Sequence, residues 1–360
     1  MNKTSLTKIV NRFNSAQDSL VIQAADMSLE TVAAMVESEA IDVQPQYQRR
    51  DRWLAHAKSA LMESFLLNIP VPPVYLAEES FGTYSIIDGK QRLTAIKEFM
   101  RNEFPLKNLE RFSELEGLKF SSLPVDLRNA LNIRPYVRVV TLLKQSDPEL
   151  KYEVFTRLNS GGIELHPQEV RNAMYRGKFN DLLIYLSSNE ILRERLKIFT
   201  LKEDAYKTMS DVEYVLRFFT MEQTWKVFSG DYRRSMDAYM RDNRFASTRA
   251  LNTLKQKFQV AIERCKELWG DAAFRRYDIE SKVYRDQFLS ALYDAQMIAV
   301  SRLSEAKYIK LKAKKSELAK QTKLLFSVPD FDSSIRISTN TPSKVRYRIQ
   351  AVSEMLDHIG

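Results

Sequence analysis

Apolar positions in the first half of the chain come in short runs that switch between a two-residue and a three-to-four-residue period. In the second half only the longer period persists. A helix is expected near Ser28–Ser38, a strand at Ile41–Val43, and a helix over Ala57–Asn68 with Ala60, Leu61, Phe65 and Leu66 on its buried side. Pro70, Pro72 and Pro73 stop that helix and open an edge or rim strand at Val74–Leu76. A β-branched run, Thr83–Ile87, leads into a tight turn at Asp88-Gly89, after which Leu93, Ile96 and Met100 recur at helical spacing. Between Asn102 and Leu123 the pattern is irregular and predicts short helices or a covering loop. Val137–Leu142 is the last strand candidate. Asp147 followed by Pro148 reads as N-cap and first helical residue, and Gly161 or Gly162 can take the left-handed conformation that ends a helix. His166-Pro167 starts another helix in the same way.

Beyond about residue 180 glycine and proline leave the turns, and Val212–Phe219, Phe258–Leu268, Phe288–Val300 and Leu311–Phe326 each show a helical apolar face. No internal repeat is evident. The expected class is α+β, a small mixed sheet with helices followed by a mainly α-helical region. The expected divisions are a partly disordered lead over residues 1–27, a first domain over 28–180 and a helical domain over 181–360.

Composition narrows the function classes. Apolar residues are 44% of 360, and the longest apolar stretch, Phe65–Ala77, is interrupted by Asn68 and three prolines, so no bilayer span is expected. The first residues lack the continuous apolar run of an export signal. The single cysteine, Cys265, excludes an internal disulfide and a cysteine-rich zinc site, which fits a reducing cytoplasm. His56, His166 and His358 are too dispersed for a helix-borne zinc pair, whereas Mg²⁺ needs only one or two carboxylates plus phosphate oxygens. A formal net charge of +9 favours a polyanionic partner such as DNA. Lys310, Lys312, Lys314, Lys315, Lys320 and Lys323 crowd what reads as one late helix, followed by Arg336, Lys344, Arg346 and Arg348. With only Tyr308 and Tyr347 nearby, this region suits duplex backbone contact better than base stacking, and Lys312, Lys314, Lys315, Arg346 and Arg348 are the DNA-binding candidates.

The strand-turn-helix at Tyr84–Phe99 carries the most chemistry. Such a junction presents unpaired first-turn N–H groups and the positive end of the helix dipole, which suit a phosphate, and Lys90 and Arg92 add charge there. Taken alone it is equally an ordinary turn with Asp88 as N-cap. Upstream, Pro45–Arg49 places Tyr47, Gln48 and Arg49 on one extended segment, with Trp53 as a core anchor. Downstream, residues 147–172 taken alone form an αα-corner with a salt-bridged entrance.

In order and spacing, Pro45–Arg49 with Trp53, Ile69–Pro73, Asp88–Arg92 and Phe155–Gly162 resemble the ParB/sulfiredoxin-like N-terminal domain of the GmrSD-type modification-dependent restriction proteins, over roughly residues 28–180. That family shows a Tyr-Gln-Arg segment, an Asp-Gly-Gln-Gln-Arg turn and an Arg-Leu-Asn-x-Gly-Gly turn before an acidic and basic helix start. Here Lys90 stands where the turn usually has its first Gln. The resemblance implies a nucleoside triphosphate cleft, with Asp88, Lys90, Gln91 and Arg92 as catalytic candidates. Gly89, Tyr47, Gln48, Arg49, Arg157, Asn159, Glu169, Arg171 and Asn172 would bind nucleotide, and Asp88 would orient water or hold Mg²⁺.

The family domain is often joined to an HNH-type nuclease, but no histidine-centred metal motif is found here. A stand-alone member with a separate nuclease subunit is therefore expected. Nor is there a P-loop, a nucleophile elbow or a Rossmann fingerprint. The leading expectation is a DNA-associated, NTP-binding and NTP-hydrolysing module of a bacterial or phage-defence system. A ParB-like nuclease or nickase and a non-catalytic, nucleotide-gated DNA-binding adaptor are the alternatives.

Overall fold

The computed structural model describes residues 9, 10, 13, 14, 17, 19–43, 53–159 and 166–360. The chain forms two compact units, Met1–Met174 and Tyr175–Gly360.

The first unit is built on five strands, β1 (Ile22–Ser28), β2 (Ile41–Asp42), β3 (Val74–Ser80), β4 (Thr83–Asp88) and β5 (Tyr136–Leu142), in the spatial order β1-β5-β3-β4-β2. The sheet is mixed: β1 runs antiparallel to β5, β5 parallel to β3, β3 antiparallel to β4, and β4 parallel to β2. The helices are α1 (Leu29–Glu37), α2 (Ala55–Leu66), α3 (Lys90–Met100), α4 (Val125–Ile133), α5 (Pro148–Asn159) and α6 (Pro167–Met174).

Both faces of the sheet are buried, because successive side chains of a strand point to opposite sides. Leu76, Ile86, Val137 and Val139 join Leu29, Val32, Phe65, Leu93, Ile96 and Phe99 in the larger core. Their strand neighbours Ala77 and Ile87, with Leu142, join Phe155 of α5 and Val170 of α6 in a smaller one. The adjacent pair Ile86-Ile87 thus serves two cores.

Two expectations need correction here, and one helix was not expected. The strand opened by Pro72-Pro73 is not an edge or rim strand: β3 lies between β5 and β4. Both prolines precede Val74, so the ladder loses no N–H donor. Ile22–Ser28, all but its last residue assigned to the lead, is an edge strand paired along its whole length with β5. Its sequence, mostly exposed, has no alternating apolar face to announce it. Residues 125–133, past the irregular stretch, form a helix after two short 3₁₀ turns at Ser113–Leu115 and Phe120–Ser122.

The second unit contains α7 (Lys178–Ser187), α8 (Glu190–Arg195), α9 (Asp204–Lys207), α10 (Ser210–Thr224), α11 (Tyr232–Asn243), α12 (Thr248–Trp269), α13 (Ser290–Ser301), α14 (Glu305–Ala313), α15 (Lys315–Phe326), α16 (Pro329–Arg336) and α17 (Pro342–Ile359). A hairpin of β6 (Arg275–Asp278) and β7 (Val283–Phe288) interrupts the helices. Phe288 accordingly ends a strand rather than starting a helix. Ala291–Val300 of α13 is buried on every side, so this helix runs through the middle of the unit's core. The expected single lysine helix is two helices, with a break at Lys314. Among the described residues no helix is long and apolar enough to cross a membrane.

Candidate functional site

At the end of β4 the backbone turns directly into α3 through Gly89, whose φ is +97°. Any side chain there is excluded twice over. The left-handed conformation favours glycine, and a Cβ would stand 2.7 Å from Cγ2 of Val74 on the neighbouring strand. Gly89 occupies the N-cap position and its carbonyl accepts the N–H of Leu93 at 3.0 Å.

Asp88, read from sequence as the N-cap in the simplest case, does another job. Its Oδ2 accepts Nη2 of Arg92 at 2.7 Å, and Nη1 of the same guanidinium donates to the carbonyl of Pro72, also at 2.7 Å. Arg92 is only 12% exposed and Asp88 39%. The arginine therefore braces the turn against the proline segment. Gln91 turns the other way, its Oε1 accepting the backbone N–H of Trp53 at 3.2 Å. Trp53 packs half-buried on the larger core, so the turn, the prolines and the start of α2 are tied together. Lys90 is the first residue of α3 and is half-buried. Tyr47, Gln48 and Arg49 lie outside the described residues.

The downstream candidates separate. On α5, Asp147 accepts the N–H of Leu150 at 3.0 Å, the capping expected ahead of Pro148. Arg157 is 78% exposed and pairs with Glu153 one turn back at 2.5 Å. The side chain of Asn159, and residues 160–165 with their glycines, lie outside the described residues. On α6, Glu169 is buried and its Oε2 accepts the N–H of His166 at 2.8 Å, the reciprocal half of a capping box. Arg171 and Asn172 are buried with Gln168. Nη1 of Arg171 donates to Oε1 of Gln168 at 3.1 Å, and Nε2 of Gln168 donates to Oδ1 of Asn172 at 2.8 Å. Gln168 was not among the expected site residues, although its spacing of three and four to Arg171 and Asn172 puts all three on one helical face. Both α5 and α6 pack against β4, the strand that delivers Asp88. Buried polar groups are tolerated only when hydrogen-bonded, so an eight-residue helix with four of them is a specialised element. Among the described residues no three His, Cys, Asp or Glu side chains come together as a metal site.

The late basic candidates divide as well. Nζ of Lys312 lies 2.5 Å from Oε2 of Glu267, and this lysine together with Tyr308 holds the glutamate below the ordinary carboxylate range. Nζ of Lys314 donates at 2.7 Å to the carbonyl of Ile359, in the last turn of α17. Lys315 is exposed and Arg346 half-buried. Arg348 is no surface residue: it is completely buried, donating to Asp294 (3.1 Å), Tyr232 (3.0 Å) and the carbonyls of Ser334 (3.2 Å) and Thr339 (2.6 Å). It lies on the core face of α17, beside Val345, Ile349 and Val352, and so leaves the set of DNA-binding candidates.

Fold and turn together define a mixed α+β domain with a glycine-hinged strand-to-helix junction, followed by a helical unit. Residues 32–176 match the family model described as the GmrSD restriction endonuclease, N-terminal domain. This segment is therefore a GmrSD-type N-terminal domain, and it points to a restriction-like defence system. Neither a curated protein nor a solved structure matches the chain.

Proposed function

We propose that the GmrSD-type domain binds a nucleoside triphosphate at the start of α3 and hydrolyses it, as the sensing module of a DNA-directed, restriction-like defence system. The junction at Gly89 carries this reading. It turns the first N–H groups of an eleven-residue helix, and the positive end of its dipole, toward the carboxyl end of β4. Open sheets place ligands at such strand ends. Lys90, at the first helical position, supplies the cation for the phosphates. Arg92 serves by fixing Asp88 and the turn, because its guanidinium already spans Asp88 and Pro72. Asp88 is exposed enough to hold Mg²⁺ together with phosphate oxygens, and the ion would neutralise charge on the transferred group. Tyr47, Gln48 and Arg49 are the proposed further contacts to nucleotide and DNA, so that the two would be sensed together.

The Asp88–Arg92 pair also favours a second reading, a nucleotide-gated adaptor without turnover, because Oδ2 of Asp88 is already engaged by the Arg92 guanidinium rather than facing a water. Calorimetry with the four ribonucleoside triphosphates, followed by phosphate release with and without Mg²⁺ and DNA, separates the two. Lys90→Ala is expected to weaken nucleotide binding about 10- to 100-fold, the scale of a charge-assisted hydrogen bond. Unchanged affinity and turnover in this variant would remove the site from the junction, whereas tight binding without phosphate release selects the adaptor.

A further inference from the structure

The second unit carries two basic surfaces, and one of them has two exposed aromatic rings that each sit beside a cation. Residues 305–326 contain seven lysines and two glutamates, a net of +5. Residues 232–257 contain seven arginines and lysines and two aspartates, again +5, against +9 for the whole chain. In the second group, at the corner joining α11 to α12, Phe245 is 88% exposed. The guanidinium of Arg244 sits over its ring at 5.3 Å. Tyr185 of α7 is 54% exposed and carries the ammonium of Lys255 at 4.3 Å.

One surface unites these residues. The corner is fixed to α7, since Nε of Arg244 donates to the carbonyl of Arg176 at 3.0 Å and Gly177 lies close under the carbonyl of Arg244. Helix α7 also packs against α11 and α12. From Gly177 to Tyr185 the surface runs about 12 Å along the helix. Arg241 and Arg249, three residues before Arg244 and four after Phe245, are exposed beside the corner. Acidic neighbours offset part of this charge, Asp242 at 3.1 Å from Arg241 and Glu222 at 2.7 Å from Lys257.

A single exposed ring on a protein surface is ordinary. Two exposed rings, each flanked by a cation, along a basic surface are what single-stranded nucleic acids use: bases stack on the rings while the cations follow the phosphates. We propose that this corner binds unpaired nucleic acid, with Phe245 and Tyr185 as stacking platforms and Arg241, Arg244, Arg249 and Lys255 along the backbone. The inference rests on the reading that the chain engages DNA, and names the form of DNA and the surface. The lysine helices stand apart from it. Glu267, which pairs with Lys312, is eighteen residues along α12 from Arg249, or about 27 Å, so the two surfaces can be tested separately.

The test is fluorescence anisotropy of the full chain with a labelled oligo-dT and with a duplex of equal length, across a salt series. Phe245→Ala and Tyr185→Ala should each weaken single-strand binding about 5- to 100-fold and leave duplex binding unchanged. Arg241→Ala with Arg249→Ala should flatten the salt dependence. Lys312→Ala with Lys315→Ala should leave the single-strand preference intact. Circular dichroism checks that the variants are folded. If the ring variants bind the single strand as the wild type does, or the wild type prefers duplex, the corner is not a stacking surface even though DNA binding stands. If the wild type binds neither form, the DNA part of the proposed function fails together with this inference.

Discussion

Arg92, Arg171 and Arg348 all appear in the sequence as basic residues beside polar ones, and the structure gives each a different task. Charge type is legible in a sequence, but burial and partners are not. Arg348 shows the difficulty: it follows Arg346 and Tyr347 in a basic stretch, yet the helical period turns it to the core, where Val345, Ile349 and Val352 mark the face. Read at period 3.6, that face was available in advance. Nothing in the sequence, by contrast, could have placed the carbonyl of Pro72 against Arg92. That contact makes a separable prediction. Removing the guanidinium strands a backbone acceptor and leaves Asp88 unpaired, so Arg92→Ala should lower the stability of the first unit by about 1–3 kcal/mol. Arg92→Lys should recover only part of this, because an ammonium lacks the two-pronged geometry. Urea denaturation checks both. If alanine costs nothing, the brace is incidental.

Elements with a clean period and a punctuating residue were legible: Ser28 caps α1 by accepting the N–H of Thr31 at 3.1 Å, and Asp147 with Pro148 starts α5. Elements without an apolar face were not. β1 is paired but mostly exposed, and the β6–β7 hairpin is largely charged and tyrosine-bearing, held by ladder bonds the sequence cannot display. The irregular stretch after α3 is secured from elsewhere, by the carboxylate of Glu63 on α2, which accepts the N–H groups of Glu110 (3.1 Å), Arg111 (2.7 Å) and Phe112 (3.0 Å). Burial pushes this carboxyl up, but the three donors and the Arg111 charge outweigh it, so its pKa lies below the ordinary value of 4.5. The folded-state value is thus the lower one. The carboxylate's contribution is full above the unfolded pKa and is lost as pH falls through the folded one. Glu63→Gln should cost about 1.5–3 kcal/mol at pH 7 and progressively less below pH 4. Chemical denaturation at pH 7 and pH 3 measures this, and an equal loss at both values would show that the ionised form is not what holds the segment.

At the scale of the whole chain, the buried apolar clusters do not mix. Among the described residues, every member of the helical core is numbered 179 or above, and every member of the two sheet cores 170 or below. The helical core also encloses a charged centre. Asp294 on α13 accepts Nε and Nη2 of Arg217, each at 2.7 Å, and its Oδ2 also accepts the hydroxyl of Tyr232 at 2.8 Å and Nη2 of Arg348 at 3.1 Å. Burial raises the carboxyl's pKa, but the guanidinium groups of Arg217 and Arg348 outweigh this and hold it low. Asp294→Asn would leave the buried Arg348 and the half-buried Arg217 without a counter-charge, and breaking such a centre costs about 3–5 kcal/mol. Gly89→Ala, with its positive φ and Val74 in the way, strains the sheet unit instead, by about 1–3 kcal/mol. Because a two-state description holds within a domain and not across domains, calorimetry should resolve two transitions. Asp294→Asn should lower one and Gly89→Ala the other. A single transition shifted by both substitutions would mean that the two cores melt as one cooperative unit.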